Sequence, residues 1–316
     1  MIEVKNLTKY YGETLAVDDI SFEIKKGEIV GFLGPNGAGK TTTLKILTCY
    51  MPPSSGTAFI AGHDIFEESI SVRKNIGYLP ESNPLYLEMG VVEYLRFIAR
   101  MRNIQPENIN KRIKYAVEIC GLKDVIHKDI GELSKGFRQR VGFAQTIIHD
   151  PPILIMDEPT VGLDPNQIAE IRDLIKELGK EKTVVLSSHI LPEVQATCDK
   201  VIIINRGKIV AEGTTEELQL MVQGKEKMYI KLKGDKNDIL QKLNAVANVE
   251  SIAVRDKEAD DIFGYVVDVA AKADIRESLY RFSIDNKFPI LEMKREIVSL
   301  EELFRRLTAD NGEKDE

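Results

Sequence analysis

Gly34-Pro35-Asn36-Gly37-Ala38-Gly39-Lys40-Thr41 places glycines, a lysine and a hydroxyl in the order G-x-x-x-x-G-K-[ST]. That spacing suits phosphate groups. The glycines let the backbone turn tightly and aim several N–H groups at one point. A helix that carries on from Thr42 adds unpaired N–H groups and partial positive charge. Lys40 supplies a mobile ammonium for the β- and γ-phosphates of a nucleotide, and the Thr41 hydroxyl is placed to bind Mg²⁺. A second cluster is acidic. Asp157 and Glu158 follow the apolar run Ile153–Met156, at the strand end where α/β proteins bind ligands. Asp157 suits a Mg²⁺ shell, directly or through water. Glu158, one residue further, points differently and suits orienting or deprotonating an attacking water.

The elements that must hold these residues are legible around them. Ile29–Leu33 reads as a buried strand before the loop and Thr42–Thr48 as a helix after it, which is the strand–loop–helix context the phosphate loop requires. Further strands are expected at Ile20–Ile24, Ile153–Met156, Val184–Ser187 and Val201–Asn205, with a helix over Pro165–Gly179. Continuous apolar strands alternating with helices predict an α/β core with a mainly parallel sheet. Residues 83–150 show helical spacing only, at Val91–Met101 and Ile109–Cys120, and read as a helical insertion.

The character changes after residue 223, which divides the chain into domains at 1–223 and 224–316. The second part reads strand (Met228–Leu232), helix (Ile239–Val246), strands (Val249–Val254 and Tyr265–Val269), helix (Asp274–Ile284), strand (Ile290–Met293). That is the ferredoxin-like order. The charged stretch Arg255–Asp261 reads as a solvated loop. Ser299-Leu300-Glu301-Glu302 is a capping box opening a last helix to Leu307, and the charged tail from Asp310 reads as frayed.

Composition limits the partners. Lys and Arg number 43 against 50 Asp and Glu, a net charge of −7, which argues against general nucleic-acid binding. The three cysteines, Cys49, Cys120 and Cys198, are scattered and odd in number. No zinc site or disulfide framework is expected, and a reducing cytosol is the natural compartment. No signal peptide is visible, and the longest apolar runs are too short to cross a bilayer. His63, His127 and His149 read as structural.

Leu133-Ser134-Lys135-Gly136-Phe137-Arg138-Gln139-Arg140 precedes a helix and then the acidic strand. Ser134 stands where a helix N-cap belongs. Here the chain resembles the ATP-binding cassette (ABC) family, whose signature is usually L-S-G-G-Q. Lys135 replaces a glycine and Phe137 the glutamine. The resemblance covers about Ile2 to Gln223, with every cassette motif in order. It implies that Tyr11 stacks on adenine, that Val17 contacts the base, and that Gly34 to Thr42 cradle the phosphates. Gly162-Leu163-Asp164-Pro165 matches the D-loop and places Asp164 at a subunit interface. Ser187-Ser188-His189 matches the switch histidine, which contacts the γ-phosphate. Glu81 stands where the family has a glutamine beside the metal. Glutamate keeps the oxygens, adds charge and loses the amide donor. Tyr78–Tyr86 resembles exporter-type subunits, including the gliding-motility group, and Ser299–Leu307 resembles drug- and ion-exporter subunits with an extra C-terminal domain.

The resemblance implies a P-loop NTPase cassette, a RecA-like core plus helical subdomain, with a small α+β domain behind it. It implies a head-to-tail dimer, with a second copy or a paralogous subunit, around two ATP and Mg²⁺. Lys40, Thr41 and Asp157 bind MgATP, and Ser134, Lys135 and Gly136 come from the partner. Glu158 and His189 act in hydrolysis. The expected role is the ATPase subunit of a bacterial transporter, an exporter, docked on an integral-membrane permease at the inner face of the cell membrane and with no nucleic-acid partner. The alternative is a soluble ABC ATPase acting in translation or DNA repair. A single cassette without long coiled coils or zinc cysteines favours the transporter. Intact Lys40, Asp157, Glu158 and His189 argue against a binding module with dead catalysis.

Overall fold

The computed structural model describes residues 1–222, 226–269, 274–296 and 300–308. Two compact units divide the chain, one built on Met1–Thr215 and the other on Glu216–Arg306. The boundary expected from the sequence, at 223/224, falls on residues outside the described set.

In the first unit, β1 (Ile2–Tyr11) and β2 (Thr14–Ile24) form a hairpin across Gly12 and Glu13. β3 (Ile29–Leu33) leads into α1 (Lys40–Leu47). β4 (Ser55–Ile60) and β5 (His63–Asp64) complete an antiparallel sheet in the order β2-β1-β4-β5. The strand expected at Ile20–Ile24 is the end of β2, but sequence reasoning did not assemble this layer, because β1 and β4 mix buried and exposed residues and carry bulges in their pairing. Next come α2 (Ser69–Asn75) and β6 (Ile76–Leu79), then a helical block of α3 (Val91–Met101), α4 (Pro106–Ile119) and α5 (Lys135–Ile147). β7 (Ile153–Met156), α6 (Pro165–Gly179), β8 (Thr183–Ser188), α7 (Leu191–Thr197), β9 (Lys200–Asn205) and β10 (Lys208–Gly213) follow, and α8 (Thr215–Val222) begins at the boundary and belongs mostly to the second unit.

The main sheet runs β10-β9-β3-β8-β7-β6, parallel except for β10 at its edge. Every residue of β3, β7 and β8 is buried, as the unbroken apolar runs require of strands covered on both faces. The register pairs Leu33 with Ser188, Met156 with Leu186, and Leu79 with Met156. Four C-terminal strand ends therefore meet at one edge, and the loops after them converge.

The second unit contains β11 (Glu226–Lys233), α9 (Lys236–Leu243), β12 (Val249–Ala259), β13 (Ile262–Val269), α10 (Arg276–Asn286) and β14 (Ile290–Glu296), followed by α11 (Leu300–Thr308). Its antiparallel sheet has the order β12-β13-β11-β14. Ile239, Leu243, Leu279 and Phe282 from the helices pack on Ile230, Tyr265 and Val267. One expectation is corrected here. Arg255–Asp261 is not simply a loop, since β12 continues to Ala259. Arg255 lies over the Tyr229 ring at 5.8 Å, and the Tyr229 hydroxyl donates to Asp256 at 3.2 Å. Cross-strand partners hold a charged edge strand that lacks apolar alternation. Ser299, the head of the expected capping box, and the tail from Asp310 lie outside the described residues. No helix among the described residues is long and apolar enough to cross a membrane.

Candidate active site

The loop after β3 wraps the N-terminus of α1, whose cap residue is Gly39. Gly39 has φ 108°, and a Cβ there would lie 2.6 Å from the Ala16 carbonyl oxygen. A Cβ on Gly34 would lie 2.3 Å from the Ile204 carbonyl oxygen. Both positions therefore exclude larger side chains, for conformational and steric reasons. Gly39 offers no side-chain cap, so the first N–H groups of α1 remain available to an anion.

Asn36, Gly37, Ala38, Gly39, Lys40, Thr41 and Thr42 line a cavity of about 470 Å³ with Ala16, Glu81, Glu158, Val161 and His189. Lys40 Nζ donates to Gly34 O at 2.8 Å and Pro35 O at 3.2 Å, and stands 3.4 Å from Glu158 Oε1. The side chains of Lys40 and Glu158 are only 5% and 8% exposed. A charge pair this dry is weakly screened by water, and its ammonium has two neutral carbonyls as its other partners. Glu158 Oε2 lies 3.0 Å from His189 Nδ1. Glu158 holds φ 47°, an uncommon conformation for a non-glycine residue that turns the chain sharply after the strand.

Asp157 sits one layer deeper. Its Oδ1 accepts from Thr41 Oγ1 at 3.0 Å and from Ser187 Oγ at 2.6 Å. Ser187 Oγ in turn accepts the Glu158 N–H at 2.9 Å. Burial, and next the Asp157 charge, raise the Tyr78 phenol well above its ordinary range, so it stays neutral beneath the acid. The donor set facing Thr41 is hard oxygen: a hydroxyl, the Asp157 carboxylate and the Glu81 carboxylate on the cavity wall. Among the described residues no cluster of three or more His, Cys, Asp or Glu could hold a metal alone. That fits Mg²⁺, which takes one or two protein oxygens and completes its shell with phosphates and water.

Other candidates lie elsewhere. Ser134, Lys135, Gly136 and Asp164 are not among the cavity's lining residues. Ser134 caps α5, its Oγ accepting the Phe137 N–H at 3.3 Å. Lys135 Nζ fills the space beside Gly162 of its own chain, and Gly136 lies against the Gln167 side chain. Asp164 caps α6, accepting the Gln167 N–H at 3.0 Å. Tyr11 stands at the end of β1, 46% exposed, with Lys9 over its ring at 5.7 Å. Val17 is corrected. It is fully buried in the core, because strand neighbours face opposite ways and Ala16 takes the cavity side. Ala16 and Val161 were missed. Strand alternation around the buried Val17 is the signal that could have found Ala16.

His149 bonds the Ile76 carbonyl at 2.9 Å, and burial first and Arg102 next push its pKa down to about 4. Burial raises the Cys120 and Cys198 thiols, which keeps them protonated and inert.

The sequence pattern of the ABC transporter family matches residues 17–161. A Bacillus subtilis ABC transporter ATP-binding protein, YhcH, is 43% identical over 213 residues, covering 66% of this chain and 68% of that protein. The linearmycin resistance ATP-binding protein LnrL of Bacillus subtilis is 31% identical over 311 residues, 98% of both chains. The dimeric post-hydrolysis state of the ATP-binding cassette MJ0796, bound to ADP and Pi, has a TM-score of 0.62 at 27% identity, covering 68% of this chain and 98% of that one.

Proposed function

The chain belongs to the ABC transporter family as an ATP-hydrolysing subunit, and from that premise we propose that it dimerises around two MgATP to drive a separate membrane permease. The partner cassette is a second copy or a paralogous subunit. The proposed site of action is the inner face of the cell membrane, and the proposed direction is export. LnrL, similar over 98% of both chains, is named for linearmycin resistance, which supports the export reading.

One observation carries the dimer. The cavity gathers Lys40, Thr41, Glu81, Glu158 and His189 but not Ser134, Gly136 or Asp164. In the proposed complex those residues come from the partner and close over the γ-phosphate. The loop N–H groups and Lys40 hold the phosphates. Thr41 and Asp157 would hold Mg²⁺, with Glu81 approaching it, and the ion would neutralise phosphate charge. Glu158 orients or deprotonates the attacking water, and His189, bonded to it at 3.0 Å, steadies that carboxylate and meets the γ-phosphate. Tyr11 supplies a ring face for adenine. Lys40 exchanges its carbonyl contacts and its 3.4 Å approach to Glu158 for phosphate oxygens, which frees Glu158 for water. The difference between ATP and ADP is the γ-phosphate, so its loss releases the dimer. Affinity purification of the chain from membranes tests the partner: recovery of an integral-membrane protein is expected. Its absence, with an active ATPase eluting alone, would favour the soluble alternative.

A further inference from the structure

We propose that Glu193 is a positioning residue for ATP hydrolysis, whose carboxylate ties the loop carrying Glu158 to the loop carrying His189. The inference rests on the ATPase reading above. Thr160 lies two residues beyond Glu158, and its Oγ1 donates to Glu193 Oε2 at 2.5 Å. Ser188, one residue before His189, directs its Oγ at the same oxygen from 3.5 Å. That Ser188 Oγ also accepts the Ile190 N–H at 3.0 Å. Across the cavity the circuit closes between Glu158 Oε2 and His189 Nδ1 at 3.0 Å. Glu193 thus joins the far side of a ring whose near side is the catalytic pair.

The backbone keeps Glu193 in place. It stands in the first turn of α7, its N–H donating to the Ile190 carbonyl at 3.2 Å. A negative charge is favoured at that end of a helix. Ser187 joins the two strand ends through Asp157 and the Glu158 N–H, but beyond that junction packing does not pin the loops. A cavity of about 180 Å³ lies behind them, reaching from Thr160, Ser188 and Glu193 to Ile168, Ile175 and Leu186. Close-packed interiors fix loop spacing by contact; here the hydrogen bond spans a gap instead. His189 is 38% exposed, so burial does not hold it either. Without the tie, the segments beyond the Ser187 junction can separate and the Glu158–His189 contact loosens, whereas Lys40 and Thr41 belong to neither loop. The geometry therefore points to a loss in turnover with ATP affinity kept.

The test is steady-state phosphate release by the full chain. Glu193→Ala and Thr160→Val are each expected to lower kcat by about tenfold, with KM for ATP within about twofold of wild type. Thr160→Ser keeps the hydroxyl and is expected near wild-type kcat. The double variant is expected no slower than the slower single, because both remove one bond. Multiplying losses in the double variant, equal losses in Thr160→Ser and Thr160→Val, or an unchanged kcat in Glu193→Ala would overturn the proposal. If Glu193→Ala does not fold, the two Thr160 variants decide alone. A wild-type chain that releases no phosphate would instead sink the ATPase reading.

Discussion

Two helix N-termini of the cassette unit begin alike and are finished differently. α1 opens on Gly39, which provides no cap, and its first turn carries a buried lysine and a hydroxyl facing two acids. α5 opens on Ser134, whose own hydroxyl caps the helix. Either end can attract an anion. Only the first is equipped, within its own chain, with charge, hard oxygen and a base. The second is stable unaided and has a dipole to lend. Chemistry is concentrated at α1, and in the proposed dimer α5 is the closing surface for the nucleotide held by the partner subunit.

Variants at the two ends break or sharpen that contrast. Lys40→Ala removes the one lysine among the described residues that line the cavity and is expected to abolish measurable ATP binding by calorimetry, the largest effect. Glu158→Gln keeps the shape and removes the negative charge. Phosphate release is expected to fall on the order of 100-fold or more while ATP still binds. Ser134→Ala acts at the other end. It is expected to cost about 1 kcal/mol of stability in a denaturant melt through the lost cap, and to lower hydrolysis about tenfold without changing ATP affinity of the isolated subunit. Equal loss of ATP affinity in Ser134→Ala and Lys40→Ala would erase the distinction. Glu81→Gln, the smallest change, is expected to shift the Mg²⁺ midpoint of hydrolysis by a few-fold, because a carboxylate on the wall becomes a neutral amide. An unchanged Mg²⁺ titration would remove Glu81 from the metal's surroundings.

The two ends were also unequally legible. The α1 loop was readable residue by residue, since Gly34, Gly39, Lys40 and Thr41 each answer a local demand of backbone or charge. Pro165–Gly179 and Val91–Met101 were readable to the residue, because a proline at the start of one and apolar spacing in the other mark helices locally. The position of Ser134 as a cap was legible for the same reason. Contacts between distant loops were not. The bond from Thr160 to Glu193 spans 33 residues, and nothing in either neighbourhood announces it. Nor was the facing of Val17, since a buried core valine and a base-contacting one read alike until the sheet fixes which side is inward. The charged end of β12 was hidden because its support comes from Tyr229 on another strand.

The central claim is that the cavity beside α1 is half of a site completed by α5 of another subunit. Sedimentation velocity on Glu158→Gln, with and without saturating MgATP, tests it most directly. A dimer that forms only with MgATP, and reverts to monomer when Ser134→Ala is added, is the predicted result. A chain that binds MgATP yet sediments as a monomer would contradict it.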